Sequence, residues 1–224
     1  MWCVVDTSQA TRALLQDGAA RGRKEINISH ACSELRGLLM ALEPLDEQHA
    51  FELARKAQDI KVWTEPRPHS TPCEMARYVE RAVALQRDGL LQAFAISDLE
   101  RGTVGVVQLG MSRRRRSFVQ LAEAWVATKL RHPGVALEAR YMAIRLAFET
   151  LEYRQIGLWP CVLEQDSWIR AHSEVSRSFA ETCDAELQHN GPEQLVLMAL
   201  DWPKLRIAME CQLGRVLQAQ LASR

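Results

Sequence analysis

Between residues 71 and 89, apolar side chains recur at Met75, Tyr78, Val79, Ala82, Val83 and Leu85, a spacing that puts them on one face of a helix. The helix has a start and a stop written beside it. Thr71 is an N-cap candidate, Pro72 suits the first helical position, Glu74 completes a capping box, and Gly89 ends the run. Upstream, "TSQATRALLQDG" (7–18) predicts a short helix stopped by Gly18. "LRGLLMALEPL" (35–45) predicts a strand closed by Pro44, and "DEQHAFELARKA" (46–57) a helix capped by Asp46. Three strand-like runs follow the capped helix: "LLQAFAIS" (90–97), "TVGVVQLG" (103–110) and "SFVQLAEAWVATKL" (117–130). Their short connections, "DLERG" and "MSRRRR", predict antiparallel hairpins.

The second half alternates. A helix is predicted over about 135–151, a strand in "YRQIGLWPCVL" (153–163), and a helix around 165–180. A strand in "LVLMALDW" and an amphipathic helix in "PKLRIAMECQLGRVLQAQLA", with Pro203 in its first turn, complete the chain. Antiparallel runs with one central β-α-β unit imply a mixed α/β (α+β) sheet, mostly antiparallel and flanked by helices. Residues 1–33 pattern weakly and are expected to be an N-terminal extension to a domain spanning 34–224. Covering the ligand site and mediating dimerisation are both open roles for that extension.

Composition narrows the function classes. The chain has 224 residues, with 28 Lys+Arg against 28 Asp+Glu, so its formal net charge is zero. That balance disfavours a dedicated nucleic-acid or membrane-surface binder. No run of 18 apolar residues is present, and the N-terminus has no basic segment before an apolar one, so neither a membrane span nor a secretory signal is expected. Six scattered cysteines form no CxxC pair and no zinc spacing with the six histidines. Buried or idle thiols, a reducing cytoplasm and no metal are the expectations.

The stretch "KLRHPGVALEARYMAIR" carries the sharpest chemical signal. Unpaired N–H groups and a partial positive charge at a helix start favour an anion, and Gly134 lets a ligand approach the backbone. On spacing alone, R-x-x-G-x-A at Arg131, Gly134 and Ala136 is equally a plain helix entry. Set after a strand bearing Glu123 and before a long helix, however, it resembles the acetyl-CoA pyrophosphate loop of the GNAT N-acetyltransferase superfamily. "LRGLLMALEPLDEQHAFELA", "AFAISDLERGTVGVVQLG", "LEARYMAIRLAFETLEYRQIGLW" and "LMALDWPKL" are similar, in that order, to segments of its RimJ/RimL-type branch.

The resemblance implies the fold, acetyl-CoA as acyl donor, and direct transfer to a primary amine on a protein N-terminus or a small molecule. Main-chain N–H groups from Arg131 through His132, Pro133, Gly134 and Val135 to Ala136 would hold the pyrophosphate. The strand around Trp125, Val126 and Ala127 would pair with pantetheine. Ser167 matches a serine near the CoA thiol, and the loop holding Trp63, Glu65 and Arg67 would shape the acceptor pocket. Three departures stand out: Glu164 replaces the family's asparagine, "AHSEVSRSFAE" lacks its glycine, and the tyrosine that many members use as general acid has no clear equivalent. A catalytically weakened, CoA- or partner-binding protein is therefore the alternative.

Glu123 is the candidate base, since apolar neighbours would raise its pKa, but it is equally a solvated strand carboxylate. Ser167 could donate to the thiolate or cap a helix. Cys161 reads as a small buried hydrophobe rather than a nucleophile. Arg113–Arg116 form a basic run without the interleaved aromatics of a base-stacking surface, so a solvated turn is expected there.

Overall fold

A computed structural model describes residues 34–57, 71–98, 101–111, 116–127, 133–158 and 195–221. They form one seven-stranded sheet with its strands in sequential order. The strands are β1 (Leu35–Arg36), β2 (Met40–Pro44), β3 (Leu91–Asp98), β4 (Gly102–Met111), β5 (Phe118–Val126), β6 (Gln155–Leu158) and β7 (Leu195–Met198). Every neighbouring pair is antiparallel except β5 and β6, which are parallel. The predicted mixed, mostly antiparallel sheet with a central β-α-β unit is what the chain forms.

The helices are α1 (His49–Ala57), α2 (Pro72–Arg87), α3 (Pro133–Arg145) and α4 (Trp202–Leu221). Helix α2 is built as its sequence signals demand. Thr71 accepts from the Glu74 N–H, Glu74 returns a bond to the Thr71 N–H, and Gly89 leaves the helix at φ +64. Its residues Met75, Val79, Ala82 and Val83 are buried with Ala93, Ala95, Val106 and Trp125 of the sheet. The other face of the sheet packs Phe94, Ile96, Val107, Leu121 and Ile156 against α3 and α4.

Two elements differ from expectation. The strand predicted over 35–45 is a hairpin: Gly37 donates its N–H to the Met40 carbonyl at 2.8 Å, and β1 folds back on β2. The apolar run Leu38–Leu42 crosses the turn without a break and hides it. Helix α3 begins at Pro133, so Gly134 lies inside the first turn rather than in the connection before it. Its far end widens into a π-helical turn over Leu146–Thr150, where Leu151 donates to Leu146 five residues back. The described cysteines Cys73 and Cys211 are free and exposed.

Asp46 does organise the start of α1: its carboxylate accepts from the Gln48 N–H at 2.9 Å. Pro203 stands in the first turn of α4, as expected. The predicted helices over 7–18 and 165–180, the extension 1–33, Pro160, Cys161, Glu164 and Arg113–Arg115 lie outside the described residues. No helix among the described residues is long and apolar enough to cross a membrane.

Candidate active site

The parallel step of the sheet is between β5 and β6, whose described residues pair from Phe118↔Gln155 to Leu121↔Leu158. Strand β5 continues to Val126, paired with β4. Main-chain groups alternate along it. Ala127 donates its N–H to Val104 on β4 at 2.8 Å, so Ala127 and Trp125 turn their main-chain groups to β4. Val126 and Ala124 turn theirs away from β4.

A bulge interrupts the ladder between β4 and β5. Gln108 is opposite Glu123 and Leu109 is opposite Leu121, so Ala122 is the extra residue on β5. Bulges bend a strand and release its neighbour. Close approach elsewhere in this pair is written into Gly105, where a Cβ would meet the Trp125 carbonyl at 2.0 Å.

Helix α3 starts seven residues after Val126. Pro133 has no N–H to give, so the main-chain N–H groups of the first turn belong to Gly134, Val135 and Ala136. All three residues are buried.

Two buried polar groups mark the α2 side. Trp125 is 3% exposed, and its indole N–H has no hydrogen-bond partner among the described residues. Gln108 is 7% exposed and donates through Nε2 to the Tyr78 hydroxyl at 2.8 Å. Sequence reading missed this pair. Tyr78 was legible only as one apolar position of α2, and no spacing links it to a glutamine 30 residues on.

Of the predicted residues, Glu123, Trp125 and Val126 stand on β5 and Ala127 just after it, and Pro133, Gly134, Val135 and Ala136 open α3. Pro133 has no N–H to offer a pyrophosphate, and the main-chain groups of Trp125 and Ala127 face β4. Arg131, His132, Ser167, Trp63, Glu65 and Arg67 lie outside the described residues. No group of three or more His, Cys, Asp or Glu side chains that could hold a metal occurs among the described residues.

A family model described as the acetyltransferase (GNAT) domain matches residues 39–180, more than half of the chain. The chain belongs to the GNAT acetyltransferase family. Solved structures agree on the fold. A GCN5-related N-acetyltransferase from Brucella melitensis superposes with a TM-score of 0.57 at 17% identity, covering 81% of this chain and 85% of that one. A ribosomal-protein-S5-alanine acetyltransferase from Vibrio fischeri gives 0.52 at 16%, covering 62% and 81%. A spermidine N-acetyltransferase chimera from Vibrio cholerae gives 0.51 at 14%, covering 74% and 98%. No curated protein sequence matches the chain. The acyl donor of this family is acetyl-CoA.

Proposed function

We propose that this protein is an acetyl-CoA-dependent N-acetyltransferase of the RimJ/RimL-like branch, acting on a primary amine by direct transfer in the cytoplasm. The observation that carries the reading is the match of residues 39–180 to the acetyltransferase (GNAT) domain, around a parallel β5–α3–β6 unit whose helix begins at Pro133. Fold neighbours that acetylate a ribosomal protein and spermidine support an amine as acceptor.

The donor's thioester is attacked by a neutral amine: an N–C bond forms, the C–S bond breaks, and one proton passes from nitrogen to sulfur. The chain's part is to position and to exclude water. Gly134, Val135 and Ala136 supply main-chain donors to the pyrophosphate, with Arg131 and His132 adding charge and Pro133 fixing the turn. Val126 and Ala124 offer main-chain groups to the pantetheine. Glu123, beside the bulge, is the candidate base, and Ser167 the candidate donor to the thiolate. Trp63, Glu65 and Arg67 are the candidate acceptor contacts.

Calorimetric titration with acetyl-CoA and dephospho-CoA, followed by a panel of peptide and polyamine acceptors, tests this. Micromolar binding of acetyl-CoA with transfer to an amine is the expected result. An absence of binding would leave the first turn of α3 a plain helix start and defeat the reading.

A further inference from the structure

Two tryptophans stand among the described residues, and both are buried. Trp202 gives its indole N–H to Glu149 at 2.9 Å. Trp125 is 3% exposed, yet its indole N–H has no hydrogen-bond partner among the described residues. A buried donor left unpaired costs stability that an apolar group of the same shape would not. Proteins keep such a cost where the group is held ready for a ligand.

Its surroundings say which ligand. Trp125 is on β5, two residues along from the candidate base Glu123. Val106 is its register partner on β4, and Ala95 stands across from Val106 on β3. The indole belongs to the apolar cluster that these residues form with Met75 and Val79 of α2. A side chain at Gly105 would collide with the Trp125 carbonyl, so the two strands lie close and Trp125 is firmly held. Gln108, two residues from Val106, gives its amide N–H to Tyr78. Among apolar side chains a phosphate or an ammonium ion is costly to bury, and an ammonium ion accepts no hydrogen bond. A neutral carbonyl oxygen is what a single uncharged donor suits.

We propose that Trp125 is a substrate-binding residue: its indole N–H is the hydrogen-bond donor for a substrate carbonyl oxygen on the α2 side of the sheet. The inference rests on the proposed acetyl transfer and gives a part in it to the side chain of Trp125, whose main-chain groups face β4. That reaction has two carbonyl sources, the thioester of acetyl-CoA and the carbonyl beside the α-amine of a peptide acceptor. No covalent bond is made or broken at the indole.

The test replaces Trp125 by benzothienylalanine, which keeps the bicyclic shape and carries sulfur in place of the N–H, with Trp125→Phe beside it. The ligand-free analogue protein should melt at or above the wild-type Tm, since it loses no hydrogen bond. The substrate that carries the carbonyl should bind about tenfold more weakly. Calorimetry with acetyl-CoA and CoA, and KM for a peptide and for spermidine, tell the two sources apart. A loss for acetyl-CoA with CoA unchanged assigns the thioester, and a raised KM for the peptide alone assigns the acceptor. Affinities and KM values that all stay at wild type overturn the role. So does a lowered Tm in the analogue, because the N–H then serves the fold through an internal water. A Trp125→Phe protein that fails to fold leaves the decision to the analogue. Wild-type protein that binds no acetyl-CoA and acetylates no amine overturns the proposed function itself, whereas intact transfer with an unaffected analogue overturns only the part given to Trp125.

Discussion

The carboxyl group of Glu138 fills the space where a side chain on Gly37 would begin: a Cβ there would stand 2.6 Å from the carboxyl carbon. Glu138 is 4% exposed, on α3, and accepts from the N–H groups of Leu38 and Leu39 at 2.6 and 2.8 Å. Buried carboxylates are tolerated when hydrogen-bonded, and these two bonds tie α3 to the β1–β2 turn.

Gly37→Ala would push the carboxyl off both donors. Hydrogen bonds to a charged group contribute about 1.5–3 kcal/mol each, so partial loss predicts a destabilisation of about 2–3 kcal/mol. For a chain of this size that is a fall of about 4–12 °C in Tm. Glu138→Ala should produce a similar fall, and the two together far less than their sum. Thermal melts followed by circular dichroism check it; additive losses would mean the contact is not shared.

Thr71→Ala removes a side-chain acceptor for the Glu74 N–H at 3.2 Å and half of the capping box. The expected cost is about 1 kcal/mol. Urea unfolding should give a lower midpoint with an unchanged slope, whereas Thr71→Ser should stay near wild type.

What the sequence revealed and what it hid divide along physical lines. Helix α2 was readable to the residue, since its cap, proline, glycine and apolar stripe all act within a few positions of one another. The β3–β4–β5 hairpins and the parallel step to β6 were readable from period and loop length. The β1–β2 turn was not, because what fixes it is Glu138, about 100 residues away. For the same reason the Tyr78–Gln108 pair was invisible, while Gly134 and Ala136 stood out through a local spacing. The start of α3 two residues early follows from Pro133, whose fixed φ suits the first helical position.

Helix α4 is held to α3 by a network that titrates. Glu210 accepts from the Tyr141 hydroxyl at 2.7 Å and from Arg206 Nε at 2.8 Å, bonds that hold its carboxyl below the usual 4.5. Burial pushes Glu149 up, but the Trp202 indole at 2.9 Å and Arg145 at 2.9 Å outweigh it, and Glu149 also ends below its usual value. Both are lowered in the folded state, so their contribution is complete above pH 4.5 and is lost as pH falls through the folded values. Stability measured by urea unfolding should therefore decline below pH 4.5, and Glu149→Gln with Glu210→Gln should flatten that decline. An equally steep loss in the double variant would place the acid sensitivity elsewhere.

Gly134 offers the sharpest separation of fold from function. It lies in the first turn of α3, where valine is the better helix former, so propensity gives no reason for the fold to suffer. What a side chain takes away is the close approach of an anion to the first-turn N–H groups. Gly134→Val should weaken acetyl-CoA binding at least tenfold, about 1.4 kcal/mol or more, while the far-ultraviolet circular dichroism stays that of the wild type. Affinity unchanged in a folded variant would remove the pyrophosphate from this turn. Affinity and fold lost together would be resolved by Gly134→Ala, whose smaller side chain should keep the fold and still bind acetyl-CoA more weakly than glycine does.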